Sequence, residues 1–120
     1  MVQPEPSQLE VCRRFGMQPM APEPDELVAI AHNVRSGLRP LSGMRYLPTG
    51  NSCGWFLWAG VEIEEDEDAF AIIHVSHVGE WAPDMVPYLA LLPGWQFLIA
   101  PGHEQVWFDD RLLDPAQYEF

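Results

Sequence analysis

Three stretches of the chain carry side chains with reactive chemistry. Gly50-Asn51-Ser52-Cys53-Gly54 matches the G-x-S-x-G nucleophile elbow, in which a strand delivers the serine and a helix follows it. Here Pro48 precedes the serine and an aromatic, strand-like run follows it. The context excludes Ser52 as a nucleophile and favours a glycine-rich turn. His74, His77 and Glu80 follow at steps of three. On one helix they would share a face, and two imidazoles with a carboxylate can hold zinc or iron. Ser76 reads as a helix start, however, which leaves His74 on the preceding strand. No H-x-x-x-H completes the set. Structural histidines are the stronger reading, and a small metal-dependent enzyme using His74, His77 and Glu80 is the alternative function. Residues 62–68 hold six acids in seven positions: Glu62, Glu64, Glu65, Asp66, Glu67 and Asp68. They lack the central glycine and the alternation of a calcium loop, and such a run repels itself into solvent. With no phosphate loop, dinucleotide fingerprint or basic patch, no catalytic residue, metal or cofactor is assigned.

Charge supports a binding role instead. The net charge is −12. Residues 1–45 hold five acids and five arginines, whereas residues 46–120 hold thirteen acids and Arg111 alone. Such a surface disfavours nucleic acid and anionic lipid and steers a basic partner inward. The acidic run, together with Glu104, Asp109 and Asp110 beside Trp107 and Phe108, sets carboxylates next to large aromatic surface. That pairing suits capture of a basic protein, charge setting encounter rate and aromatics slowing dissociation. An acidic adaptor whose charge serves solubility alone is the blander reading. The two cysteines, Cys12 and Cys53, have no paired spacing, and the N-terminus carries no basic, apolar leader. A reduced, cytoplasmic, non-membrane protein is expected.

The elements that position these residues follow from pattern. Pro101-Gly102 predicts a tight turn joining strands 95–100 and 103–108. A two-residue loop sets Ile99 against Glu104, Phe97 against Val106 and Trp95 against Phe108. Gln96, Leu98, Gln105 and Trp107 take the other face. Residues 54–60 read as a central strand, apolar on both faces. Residues 27–34 and 71–75 read as further strands, and residues 35–54, rich in glycine and proline, as a long ordered loop. A helix over 7–15, with Leu9, Cys12 and Phe15 on one face, and a second helical stretch over 77–91 complete the set.

Several phrases together then resemble a known family. They are Gly54-Trp55-Phe56-Leu57-Trp58-Ala59-Gly60, His74-Val75-Ser76-His77-Val78, Tyr88-Leu89-Ala90-Leu91, Pro93-Gly94-Trp95-Gln96-Phe97-Leu98-Ile99 and Val106-Trp107-Phe108-Asp109. In this order and spacing, over about residues 27–113, the chain resembles the bacterial immunity protein 33 domain family of polymorphic toxin systems. Gln105, where an acid is more usual, and Ala71-Ile72-Ile73 before His74 depart from that pattern. The resemblance implies a small binding protein that neutralises a cognate toxin, and it implies no catalytic residue. The expectation is one domain over residues 1–120: an N-terminal helix and proline-rich connector to 26, a core over 27–113 and a tail over 114–120. Its class is α+β, a small antiparallel sheet of about four to five strands with helices covering one face.

Overall fold

The computed structural model describes residues 2–63 and 66–114. Glu64, Glu65 and the tail from 115 onward lie outside the described residues.

Six strands form one sheet: β1 (Leu27–Ala31), β2 (Leu41–Arg45), β3 (Ser52–Ala59), β4 (Phe70–His74), β5 (Trp95–Ala100) and β6 (His103–Phe108). Their order is β4-β1-β3-β2-β5-β6. The architecture is α+β as expected, with two corrections. The sheet is mixed rather than antiparallel, because β1 pairs parallel to β3. It also gains β2 from the stretch expected to be a loop. The hairpin register holds residue for residue, with Trp95 opposite Phe108, Phe97 opposite Val106 and Ile99 opposite Glu104.

β2 is hidden in sequence because Gly43 and Arg45 read as loop residues. A Cβ on Gly43 would lie 2.4 Å from the Phe97 ring and 2.9 Å from Leu57, so the glycine lets large side chains from both neighbouring strands meet over it. β2 runs antiparallel to both β3 and β5. It therefore knits the parallel half of the sheet to the hairpin.

Helices lie on one face. The first, α1 (Pro6–Arg14), starts one residue earlier than its pattern predicts. The capping box is closed by Glu5 and Gln8. Its buried face is Gln8, Val11 and Cys12, while Leu9, expected to pack, is 48% exposed. The other helical layer is a chain of short turns: 3-10 helix Val75–His77, α2 (Val78–Trp81) and 3-10 helix Pro83–Tyr88. Pro83 and Pro87 break what would otherwise be one helix. Val78, Ala82, Met85 and Leu89 pack from this layer onto Val28, Ile30, Trp55, Leu57 and Phe97 of the sheet. Burial of such side chains contributes on the order of 2 kcal/mol each.

A buried cation ties the layers together. Arg45 is 1% exposed. Its guanidinium donates to the carbonyls of Cys53 (3.0 Å), Met20 (2.7 Å), Leu89 (3.3 Å) and Leu91 (2.7 Å). One side chain thus holds the connector, β3 and the segment before β5.

The second face of the sheet carries Phe70 and Ile72 from β4, Ala29 and Ala31 from β1, Phe56 and Trp58 from β3, Met44 from β2, Leu98 from β5 and Trp107 from β6. The small Ala29 and Ala31 let Phe56 and Phe70 approach across β1 to a ring distance of 6.3 Å, edge to face.

Candidate functional site

The acidic run lies in the connection from β3 to β4. Asp66 caps the short 3-10 helix Glu67–Ala69, its carboxylate accepting from the Asp68 amide at 3.0 Å. Glu62, Asp66, Glu67 and Asp68 are exposed, as mutual repulsion dictates.

The hairpin acids behave differently. Glu104 sits on the helix-covered face, where strand parity had placed it among apolar residues. Its carboxylate accepts two bonds from Arg14 at the end of α1, at 2.5 and 3.0 Å, and a short one from the Tyr88 hydroxyl. The guanidinium holds the Glu104 carboxyl below the usual carboxylate range. Burial, and then the carboxylate it donates to, push the Tyr88 phenol up to about 12. This cluster fastens β6 to α1 and to the 83–88 turn, and the sequence reading missed Arg14 and Tyr88 in it. The visible signal was an acid on an otherwise apolar strand face, which demands a partner. Asp109 is likewise engaged: it accepts from Arg111 at 2.8 and 3.0 Å and from Gln96 at 3.3 Å. Asp110 is exposed, Trp107 is 38% exposed and Phe108 is 49% exposed.

Register fixes how these groups sit relative to one another. Phe70 pairs with Ala31, Leu41 with both Ala59 and Ile99, and Ile99 with Glu104. One end of the sheet thus carries residues 66–69 at the β4 edge and Glu104 at the β6 edge. Trp107 to Asp110 lie at the opposite end of β6, and strand order makes β4 and β6 the two outer edges. Five interstrand steps of about 4.8 Å separate the edges by roughly 24 Å. The acidic run and the Trp107 corner are diagonally opposed. They are two patches rather than one.

The remaining reactive residues are also placed. Ser52 opens β3, and its hydroxyl accepts from the Gly54 amide at 3.2 Å in a local turn. Gly54 has φ +95°, and a Cβ there would lie 2.1 Å from the Tyr46 carbonyl oxygen. The glycine spacing of the apparent elbow is a requirement of this close backbone approach. His74 ends β4 and His77 ends the following 3-10 turn, with ring centres 6.1 Å apart. His77 Nδ1 meets Glu80 Oε2 at 2.6 Å. Among the described residues, no group of three histidine, cysteine or acidic side chains is placed to hold a metal ion. Cys12 and Cys53 are free and buried, and burial pushes both thiols up, away from nucleophilic use. No described helix is long and apolar enough to cross a membrane.

A family model for the Imm33-like domain matches residues 7–109, from the start of α1 to the end of the hairpin. The chain belongs to the Imm33-like domain family. This is the immunity protein family that its strand phrases resemble, and the match also takes in α1, which the resemblance over 27–113 did not cover. No similar curated protein and no similar solved structure was found.

Proposed function

We propose that this chain is an immunity protein that neutralises a cognate bacterial toxin by direct protein–protein contact. Membership of the Imm33-like family over residues 7–109 carries the proposal. The charge distribution supports it and suggests the partner's chemistry. With −12 charges overall and an exposed acidic loop, the chain would attract a basic protein at enhanced rate and repel nucleic acid and anionic membrane. Its place of action would be the cytoplasm, beside the toxin it restrains.

Within that reading, Glu62, Glu64, Glu65, Asp66, Glu67 and Asp68 form the steering patch. Trp107, with Asp110 beside it, forms an aromatic corner where a partner side chain would be desolvated. Asp109 serves chiefly to hold that corner in place and Glu104 to fasten the other end of β6, since their carboxylates are already hydrogen-bonded within the chain. An ordinary interface covers about 800 Å² on each partner. A toxin touching both patches would therefore have to lie across the sheet between them.

The test is co-expression with the product of the neighbouring gene in a sensitive host. Rescue of growth, with a stoichiometric complex that survives a high-salt wash, is the expected result. A host that stays poisoned, or a diffuse set of basic proteins that washes away with salt, would refute the proposal.

A further inference from the structure

The outer edge of β4 differs from every other edge in the fold, and the geometry points to its use. Among the described residues β4 pairs with β1 alone. Val75 donates to the Glu26 carbonyl at 2.9 Å and Leu27 to the Asn51 carbonyl at 2.7 Å. Hydrogen bonding alternates along an antiparallel pair, so Ala71 and Ile73 bond inward to β1. The main-chain N–H and C=O groups of Phe70, Ile72 and His74 point outward. They form a strand-pairing template in the middle of which the Ile72 side chain is 64% exposed.

Soluble proteins blunt such edges with lysine, proline, bulges or inward-pointing charge. β6, the opposite edge, has this protection: Glu104 points inward and is tied to Arg14. β4 reads Phe-Ala-Ile-Ile-His, pairs with β1 in unbroken register and has none of these devices. What stands beside it is the acidic loop, with exposed Asp66, Glu67 and Asp68 leading directly into Phe70. Negative charge at the mouth of the edge, in a chain of net charge −12, opposes pairing with a second copy and favours a cationic strand.

We infer that β4 accepts an extended, lysine- or arginine-bearing segment of the partner protein as a seventh strand. The segment's main chain bonds to Phe70, Ile72 and His74, an apolar residue covers Ile72, and its basic residues lie along Asp66 to Asp68. The inference rests on the immunity reading and names the mode of contact within it.

Ile72→Pro tests it, because that N–H takes no part in the pairing with β1 and proline is tolerated at outward-facing edge positions. Ile72→Thr keeps the donor and serves as the matched control. The probe is a synthetic peptide of alternating lysine and valine, added to isotope-labelled protein and followed by amide chemical shifts. The expected shifts centre on residues 70–74. Affinity should fall roughly tenfold in Ile72→Pro and less than about threefold in Ile72→Thr. Shifts centred elsewhere in the wild-type chain, no binding at all, equal binding by Ile72→Pro, or a wild-type homodimer that this substitution dissociates would each overturn the inference. The mapping on the unsubstituted chain decides the matter even where Ile72→Pro fails to fold. Neutralisation of a toxin unaffected by a folded Ile72→Pro variant would reject the edge while leaving the immunity reading intact. A chain that neutralises no toxin at all would instead reject that reading.

Discussion

Replacing Arg45 with methionine tests whether a single buried cation holds the layers together. The apolar stem would be kept, and four carbonyl oxygens would lose their donor. Leu89 retains a second donor, the Trp55 indole at 2.8 Å, which leaves those of Met20, Cys53 and Leu91 as the main losses. An orphaned buried acceptor costs about 1–3 kcal/mol. Against this, removing the charge returns several kcal/mol of desolvation that no carboxylate offsets. Burial is indeed what drives the Arg45 pKa down, although a guanidinium starting so high remains charged. The acceptors are backbone and cannot be removed with their donor, so the balance stays unfavourable, at about 2–4 kcal/mol. For a chain of this size that corresponds to a fall in Tm of roughly 10 °C or more. Urea unfolding followed by tryptophan fluorescence is the assay, since Trp55 packs beside the guanidinium with its ring centre 5.7 Å from Cζ. Arg45→Lys, a point charge without the fork, should fall between parent and Arg45→Met. A methionine variant within about 0.5 kcal/mol of the parent, at unchanged m-value, would refute the reasoning.

Gly54→Ala should destabilise by about 3 kcal/mol or more, because a positive φ and a 2.1 Å clash with backbone coincide there; denaturant unfolding measures it, and a loss below about 1 kcal/mol would contradict the close approach. The Arg14–Glu104 pair sets an acid limb. Since the folded Glu104 carboxyl lies below its ordinary 4.5, its contribution is present above that value and lost as pH falls through the folded one. Glu104→Gln should flatten the stability profile there by only about 1 kcal/mol, as Arg14 is partly solvated. Tyr88 gives the opposite limb. With its pKa raised from 10 to about 12, its contribution holds below pH 10 and drains away toward pH 12, and an ultraviolet phenolate titration should show one tyrosine ionising late. Reversing the charges of Glu62, Asp66, Glu67 and Asp68 should slow association with the toxin and remove most of its salt dependence; unchanged stopped-flow kinetics would end the steering role of this loop.

Local chemistry made much of the fold legible. Pro101-Gly102 alone determines the hairpin register, because a two-residue turn leaves no freedom in which residues face each other. The doubly apolar run around Trp55 marks a strand buried in the middle of the sheet. β2 is different in kind. Leu41-Ser42-Gly43-Met44-Arg45 has low intrinsic strand preference, and it is a strand because Phe97 and Leu57 need the space above Gly43 while distant carbonyls need the Arg45 donors. Apart from Cys53, eight positions from Arg45, those demands come from residues more than ten positions away, beyond the reach of a periodicity argument. The same non-local insertion makes β1 parallel to β3. With β2 taking the far side of β3, β1 occupies the near side, in the direction its connection allows.

The candidate surface was legible in composition but not in arrangement. Acids and aromatics that look like one patch along the chain are distributed to opposite corners by the strand order. That order is a long-range property which no spacing encodes. Glu104 shows what was nonetheless available: alternation put a carboxylate on an apolar face, and a half-buried carboxylate must find a cation or a proton donor. It finds both, in Arg14 and Tyr88, and so braces β6. The same logic run in reverse applies to β4. There the alternation puts Ile72 where solvent is, with its main-chain groups facing outward and no charge in the strand to discourage a neighbour. A brace at one edge of the sheet and, among the described residues, an unpaired strand at the other make the two edges chemically unequal. Under the proposed reading, in which the chain binds a basic toxin and does not pair with itself, that inequality is where specificity would reside.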